Sequence, residues 1–121
     1  MKAAGIRAVR VGDHIQREIA VLLMRRVRDP RVEGVTVTGV RVSADLRMAR
    51  VFFSVMGGKE DIRRAQAGLD SARGFIRREM GHHLEMKYVP EIMFVHDASL
   101  EMGRHLEQLL DEIGRGGMPD D

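Results

Sequence analysis

The sequence predicts an α+β domain, a small β-sheet with helices packed against it. Three observations carry that expectation. Residues 8–28 and 61–83 place apolar side chains at helical spacing. Residues 35–43 and 47–56 alternate apolar with polar side chains in runs rich in β-branched residues. A third strand-like run falls at Glu91 to His96. No repeat or linker divides the 121 residues, so residues 1–113 are expected to form one domain, with a tail at 114–121.

The first helix is set by Val11, Ile15, Ile19, Leu22 and Leu23, which at 100° per residue share a sector of about 120° and make a core-facing stripe. Arg7, Arg10, Arg17, Arg25 and Arg28 gather in a flanking sector of about 80°, with His14 among them. Asp29-Pro30 ends the helix, because proline disfavours helical geometry at the residue before it. Val35 to Ser43 reads as a strand in which Gly39 shifts the register as a bulge does. In residues 47–56, Ala49, Val51, Phe53 and Val55 share one face and Arg50, Phe52 and Ser54 the other. The two strands close as an antiparallel hairpin through Ala44-Asp45-Leu46. Gly57-Gly58 stops the second strand, and Lys59-Glu60-Asp61 opens a helix with acids suited to its positive end.

In that second helical segment Ile62, Ala65, Leu69, Ala72, Ile76 and Met80 occupy about 80° if the helix is continuous. Arg73 then falls in the apolar stripe, and Phe75 falls on the polar side with Arg64 and Arg78. A kink or helix-turn-helix at Ala72-Arg73-Gly74 removes both conflicts, since Gly74 tolerates backbone angles that a helix interior does not use. The alternative is a straight helix in which Arg73 snorkels and Phe75 packs on a neighbour. After Pro90 comes the third strand. Ser99 then caps a last helix whose apolar positions are Leu100, Leu106, Leu109, Leu110 and Ile113, with acids on its other faces.

Hydrophobic residues make up 44% of the chain and charged residues 31%, the balance of a globular protein. The absence of cysteine excludes a disulfide framework, a thiolate metal site and a cysteine nucleophile, and fits a reducing compartment. The longest apolar run, Ile19 to Met24, falls far short of the roughly 20 residues of a bilayer span. The first residues lack the apolar stretch of a secretory signal, so cytoplasmic residence is expected, with no membrane partner. Net charge is only +2, but residues 91–121 carry two basic and eight acidic groups, leaving +8 on the rest. That asymmetry implies a basic surface directed at a polyanion and an acidic end directed elsewhere. Seventeen of the 20 basic residues are arginine, whose forked donors suit phosphate, although arginine-rich codon usage gives the same count.

Catalytic motifs fail one by one. Gly57-Gly58-Lys59 resembles the end of a phosphate-binding loop, but Glu60 stands where Ser or Thr is needed and Phe53 where the first glycine belongs. Glu79-Met80-Gly81-His82 has the spacing of half a carboxylate-bridged metal site, and the other half is missing. Adjacent His82 and His83 cannot readily place both rings on one metal from a helix, so they are expected to face solvent or RNA. Asp97, Ser99 and His105 lack a strained nucleophile turn. Nine methionines without a recurring spacing serve as gap fillers. No catalytic residue, metal, cofactor or small-molecule substrate is expected.

What remains is basic. Arg63, Arg64, Arg73, Arg77 and Arg78 flank the expected break and Lys59 stands at its entry. Amide groups in the first turn after a break prefer anions, and arginine forks match phosphate oxygens. A polyphosphate backbone is the natural ligand. With one tyrosine and no tryptophan, the candidates for base stacking reduce to Phe52 and Tyr88. Recognition should then rest on shape and phosphate geometry.

From about residue 7 to residue 113 the chain resembles the ribosome-binding factor A family. The matching stretches are Arg10-Val11 with Ile15 through Leu23, Asp29-Pro30-Arg31-Val32, Val35 to Ser43 followed by Asp45-Leu46, Ala49-Arg50-Val51, Ala72-Arg73-Gly74-Phe75-Ile76-Arg77, and Val89-Pro90-Glu91-Ile92 with Phe94, Asp97 and Ser99-Leu100-Glu101. The resemblance implies a type II KH-like fold: a three-stranded sheet packed on one side by helices, with an Ala-x-Gly kink where RNA-binding KH domains carry a Gly-x-x-G loop. Ala72-Arg73-Gly74 matches that kink. It further implies a non-catalytic, cytoplasmic factor of ribosome biogenesis that binds the immature, free 30S subunit, assists late processing of 16S rRNA and supports growth in the cold. By position, the implied RNA contacts are Ala72, Arg73, Gly74, Arg77 and Arg78; the charge pattern adds Arg25, Arg28, Arg31, Lys59, Arg63 and Arg64. A monomer is expected. Some members carry long charged C-terminal extensions, and no role for one is expected here. The competing expectation is a small protein-interaction or ligand-sensing domain that docks through its acidic last helix.

Overall fold

A computed structural model describes residues 5–98, so the last helix expected after Ser99, its acidic load and the tail at 114–121 lie outside the described residues. The elements run α1 (Ile6–Arg25), a 3-10 turn (Pro30–Val32), β1 (Thr36–Val42), β2 (Met48–Ser54), α2 (Lys59–Leu84) and β3 (Glu91–His96).

Helix α1 ends three residues earlier than its periodicity suggests. The amides of Arg26 and Val27 both donate to the Leu22 carbonyl, at 2.8 and 2.9 Å, and close the last turn. Asp29 is extended, as a residue before proline should be, and its carboxylate accepts from the Arg31 amide at 2.9 Å to cap the 3-10 turn. The sheet has the order β1-β2-β3, with β1 and β2 antiparallel and β2 and β3 parallel. Helix α2 makes the crossover that a parallel pair requires. A bulge sits where Gly39 marked it, because Val37 pairs with Phe53 and Gly39 with Phe52.

The hairpin turn is held by side chains. The Ser43 hydroxyl donates to Asp45 Oδ1 at 2.7 Å and accepts from the Met48 amide at 3.0 Å, while Leu46 takes the left-handed conformation at φ 63°. Period-two alternation then places Val42, Ala49, Val51, Phe53, Ile92 and Phe94 inward. They form one core with Ile15, Ile19 and Leu22 of α1 and Ala65, Leu69, Ile76 and Met80 of α2. Burying each large member removes enough apolar surface to contribute about 1.5–3 kcal/mol before entropy is counted.

The expected division at Ala72-Arg73-Gly74 is corrected: α2 is one helix of 26 residues that passes through all three positions. Packing resolves the conflict that motivated a break. Phe75 does lie off the main stripe, but it packs on the core's edge beneath Arg26, whose guanidinium carbon lies 5.9 Å from the ring centroid. Arg73 is exposed at the margin of the stripe. The core therefore wraps further around α2 than one stripe, and the helix runs unbroken, with Phe75 packed on a neighbour as in the continuous-helix alternative.

Candidate nucleic-acid interface

The two arginines nearest to buried structure have internal partners. Arg31 grips Asp29 with Nε at 3.1 Å from Oδ1 and Nη2 at 2.8 Å from Oδ2, and Nη2 also reaches the Ser71 hydroxyl of α2 at 3.5 Å. That fork, together with the Arg31 amide, holds the Asp29 carboxyl below the ordinary carboxylate range. The grip seats the 3-10 turn against α2 at Gly68, where a Cβ would lie 2.8 Å from Val32 Cγ1 and 2.9 Å from Arg31 Cβ. Only glycine permits so close an approach.

Arg77 does equivalent work on the other side of α2. Its Nε donates to the Pro90 carbonyl at 3.0 Å and its Nη2 to the Val89 carbonyl at 2.8 Å, with Nη1 at 3.5 Å from Glu91 Oε2. Three turns earlier on this side, Gln66 Nε2 donates to the Phe94 carbonyl of the edge strand β3 at 2.9 Å. Arg31 and Arg77, both expected to contact RNA, thus tether α2 to its neighbours.

The remaining expected contacts are outward. Arg25, Arg28, Lys59, Arg63, Arg64, Arg73 and Arg78 are exposed, as is Gly74, and Ala72 is half-buried against the core. Among the described residues, the one ion pair formed by these seven cations is Arg63 with Glu60 at 3.8 Å. Both partners are more than 70% exposed, so that pair contributes little.

The cations do not converge on residues 72–74. At 100° per residue, Lys59, Arg63, Arg64, Arg73 and Arg78 spread over about 180°, the outward half of α2. Residues 26–31 run along one flank of that ridge, since Arg26 meets Glu79 at 3.4 Å and Arg31 meets Ser71. Arg28 lies between those anchors, on the flank where Arg64 and Arg78 stand about 21 Å apart along the axis.

Both histidines are exposed, as expected, and His83 Nδ1 is in addition paired with the Glu18 carboxylate of α1, which links the two helices. No cluster able to hold a metal ion occurs among the described residues, and none of their helices is long and apolar enough to cross a membrane. Of the two stacking candidates, Phe52 is half-buried, whereas Tyr88 is 77% exposed. Sequence reasoning missed Lys87, whose Nζ lies 5.6 Å from the Tyr88 ring centroid. Its adjacency to the single tyrosine was the available signal.

Known proteins match this arrangement over most of its length. The family model described as ribosome-binding factor A matches residues 7–110. Ribosome-binding factor A of Citrifermentans bemidjiense is 46% identical over 108 residues, covering 89% of this chain and 91% of that protein. The protein of the same name from Syntrophus aciditrophicus is 50% identical over 109 residues, covering 90% and 89%. The solution NMR structure of a putative ribosome binding factor A from Thermotoga maritima superposes with a TM-score of 0.66 at 29% identity, covering 78% of this chain and 91% of that one. A homology model of the Thermus thermophilus factor, fitted into a cryo-electron-microscopy map of a 30S complex, gives 0.63 at 21% identity, covering 75% and 96%. With that agreement in sequence across nearly the whole length, and with the fold superposing on a solved structure at a TM-score of 0.66, the chain belongs to the ribosome-binding factor A family.

Proposed function

We propose that this protein binds the free 30S ribosomal subunit and assists late maturation of its 16S rRNA without catalysing a reaction. The family match over residues 7–110 is the observation that carries this reading. The Thermus thermophilus relative was fitted into a map of a 30S complex, which supports the same partner for this chain. Cytoplasmic residence follows from that partner.

The contact surface is the outward ridge of α2 with its flank: Arg25, Arg28, Lys59, Arg63, Arg64, Arg73 and Arg78, with Gly74 exposed between them and Ala72 half-buried at its base. Arg31 and Arg77 support this surface from behind. A ridge of exposed guanidinium groups, among which only Arg63 forms an ion pair within the described residues, offers forked donors to phosphate oxygens, and its sequence-independent attraction is strongly salt-dependent.

Sedimentation of lysate tests the reading: the protein should travel with free small subunits and be absent from translating ribosomes. If six cations engage phosphates, the log of subunit affinity falls against log salt with a slope of roughly −4 to −5. Absence from all ribosomal particles, or a flat salt dependence, would overturn it.

A further inference from the structure

Resting on the ribosomal reading, a second feature gives the RNA surface a specific subsite. Between the outer face of α2 and the strap that follows it lies an open-sided cleft of about 400 Å³, lined by Gly74, Arg77, Arg78, Lys87, Tyr88 and Val89. That volume falls within the roughly 300–1,000 Å³ of small-ligand sites. The lining contains three cations and no acid.

Gly74 leaves one wall open, since a Cβ built there would meet nothing within 4 Å. The opposite wall is held in place. Arg77 fixes the carbonyls of Val89 and Pro90, and Pro90 is itself fully buried. On that fixed strap Tyr88 stands 77% exposed, with the Lys87 ammonium over its ring. An aromatic ring so placed loses little freedom when a planar partner stacks on it, and every base has a face to offer.

We propose that this cleft takes one unpaired ribonucleotide, its base against the Tyr88 ring and its phosphate between Lys87 and Arg78. A base within an A-form duplex cannot reach such a site, so the ligand is a single-stranded or bulged position.

The chain supplies its own probe. Tyr88 is the single tyrosine and there is no tryptophan, so intrinsic ultraviolet emission reports that residue alone. Saturation with octaadenylate should quench this emission after correction for absorption, whereas inorganic polyphosphate should bind without quenching. Tyr88→Leu should weaken octaadenylate binding roughly 5- to 150-fold, and Tyr88→Phe by less than about twofold. Gly74→Leu should weaken it comparably without lowering the melting temperature, because the side chain grows toward the cleft from a position where a Cβ has open space.

Unchanged emission at saturation, equal quenching by polyphosphate, or wild-type affinity in Tyr88→Leu would overturn the cleft. If the wild type still comigrates with small subunits in that case, the subunit reading stands alone. If quenching occurs without comigration, the nucleotide site stands and the subunit reading falls.

Discussion

Two glycines of α2, six residues apart, should respond to alanine in opposite directions. In a continuous helix each Gly→Ala change gains about 1 kcal/mol of helix propensity. At Gly74 nothing opposes the gain, because a Cβ there has open space around it. At Gly68 the new carbon would lie 2.8 Å from Val32 Cγ1 and 2.9 Å from Arg31 Cβ. Ordinary carbon contacts sit at about 3.5–4.0 Å. Neither neighbour retreats easily, since Val32 is 4% exposed and Arg31 is tethered to Asp29.

Overpacking of this kind costs about 1–3 kcal/mol. The propensity gain is common to both variants and cancels, so their difference in stability reads the steric cost directly. At roughly 4 °C per kcal/mol for a domain of this size, Gly68→Ala should melt about 4–12 °C below Gly74→Ala by circular dichroism. Adding Val32→Ala to Gly68→Ala should recover part of the gap. Equal melting temperatures would mean that α2 does not approach the 3-10 turn so closely. A Gly74→Ala variant less stable than the wild type would show that residue 74 is not helical and would restore the break at residues 72–74.

Asp29→Asn should lower the melting temperature at pH 7. The carboxyl's pKa is depressed in the folded state, so its contribution is complete above the unfolded value near 3.9 and fades as pH falls through the lower folded value; a gap between variant and wild type that is as large at pH 2 as at pH 7 would refute this. Arg77→Met should cost about 1–3 kcal/mol in a urea melt by leaving the Val89 and Pro90 carbonyls without their donor, while Arg73→Glu should leave the midpoint nearly unchanged. The double change Arg64→Glu with Arg78→Glu should weaken subunit binding at least tenfold in a filter or sedimentation assay, with the melting temperature held within a degree or two; undiminished binding would place the RNA on another face.

The fold was legible because its two periods are clean. Ala49, Val51 and Phe53 alternate with Arg50 and Phe52, and all three inward residues are fully buried. The bulge followed from a single glycine in a β-branched run, and the start of α2 from Gly57-Gly58 ahead of two acids. Phe75 misled because a helical wheel assumes one buried stripe. In the folded chain residues 26–31 return along a second side of α2, and an aromatic residue facing them is half-buried without any break. Nothing local to residues 72–75 records that return; it depends on a chain reversal more than forty residues earlier.

The site was legible as a charge and illegible as a partition. Residue type makes all arginines equal, whereas the structure separates them by what lies opposite. Arg31 follows Asp29-Pro30, and that adjacency is a readable hint of a local fork. Arg77 gives no comparable hint, because its acceptors are main-chain carbonyls twelve and thirteen residues away.

The two internal arginines nevertheless decide where the outward ones stand. Arg31 and Asp29 hold the 3-10 turn at Gly68, which draws residues 26–31 along α2 and sets Arg28 beside its basic ridge. Arg77 draws the strap down onto the opposite side and brings Lys87 and Tyr88 across from Gly74. Removing either grip would leave every surface charge in the sequence and disperse the surface they form. Total charge therefore predicts the class of partner, while the shape offered to RNA depends on residues that need not touch it.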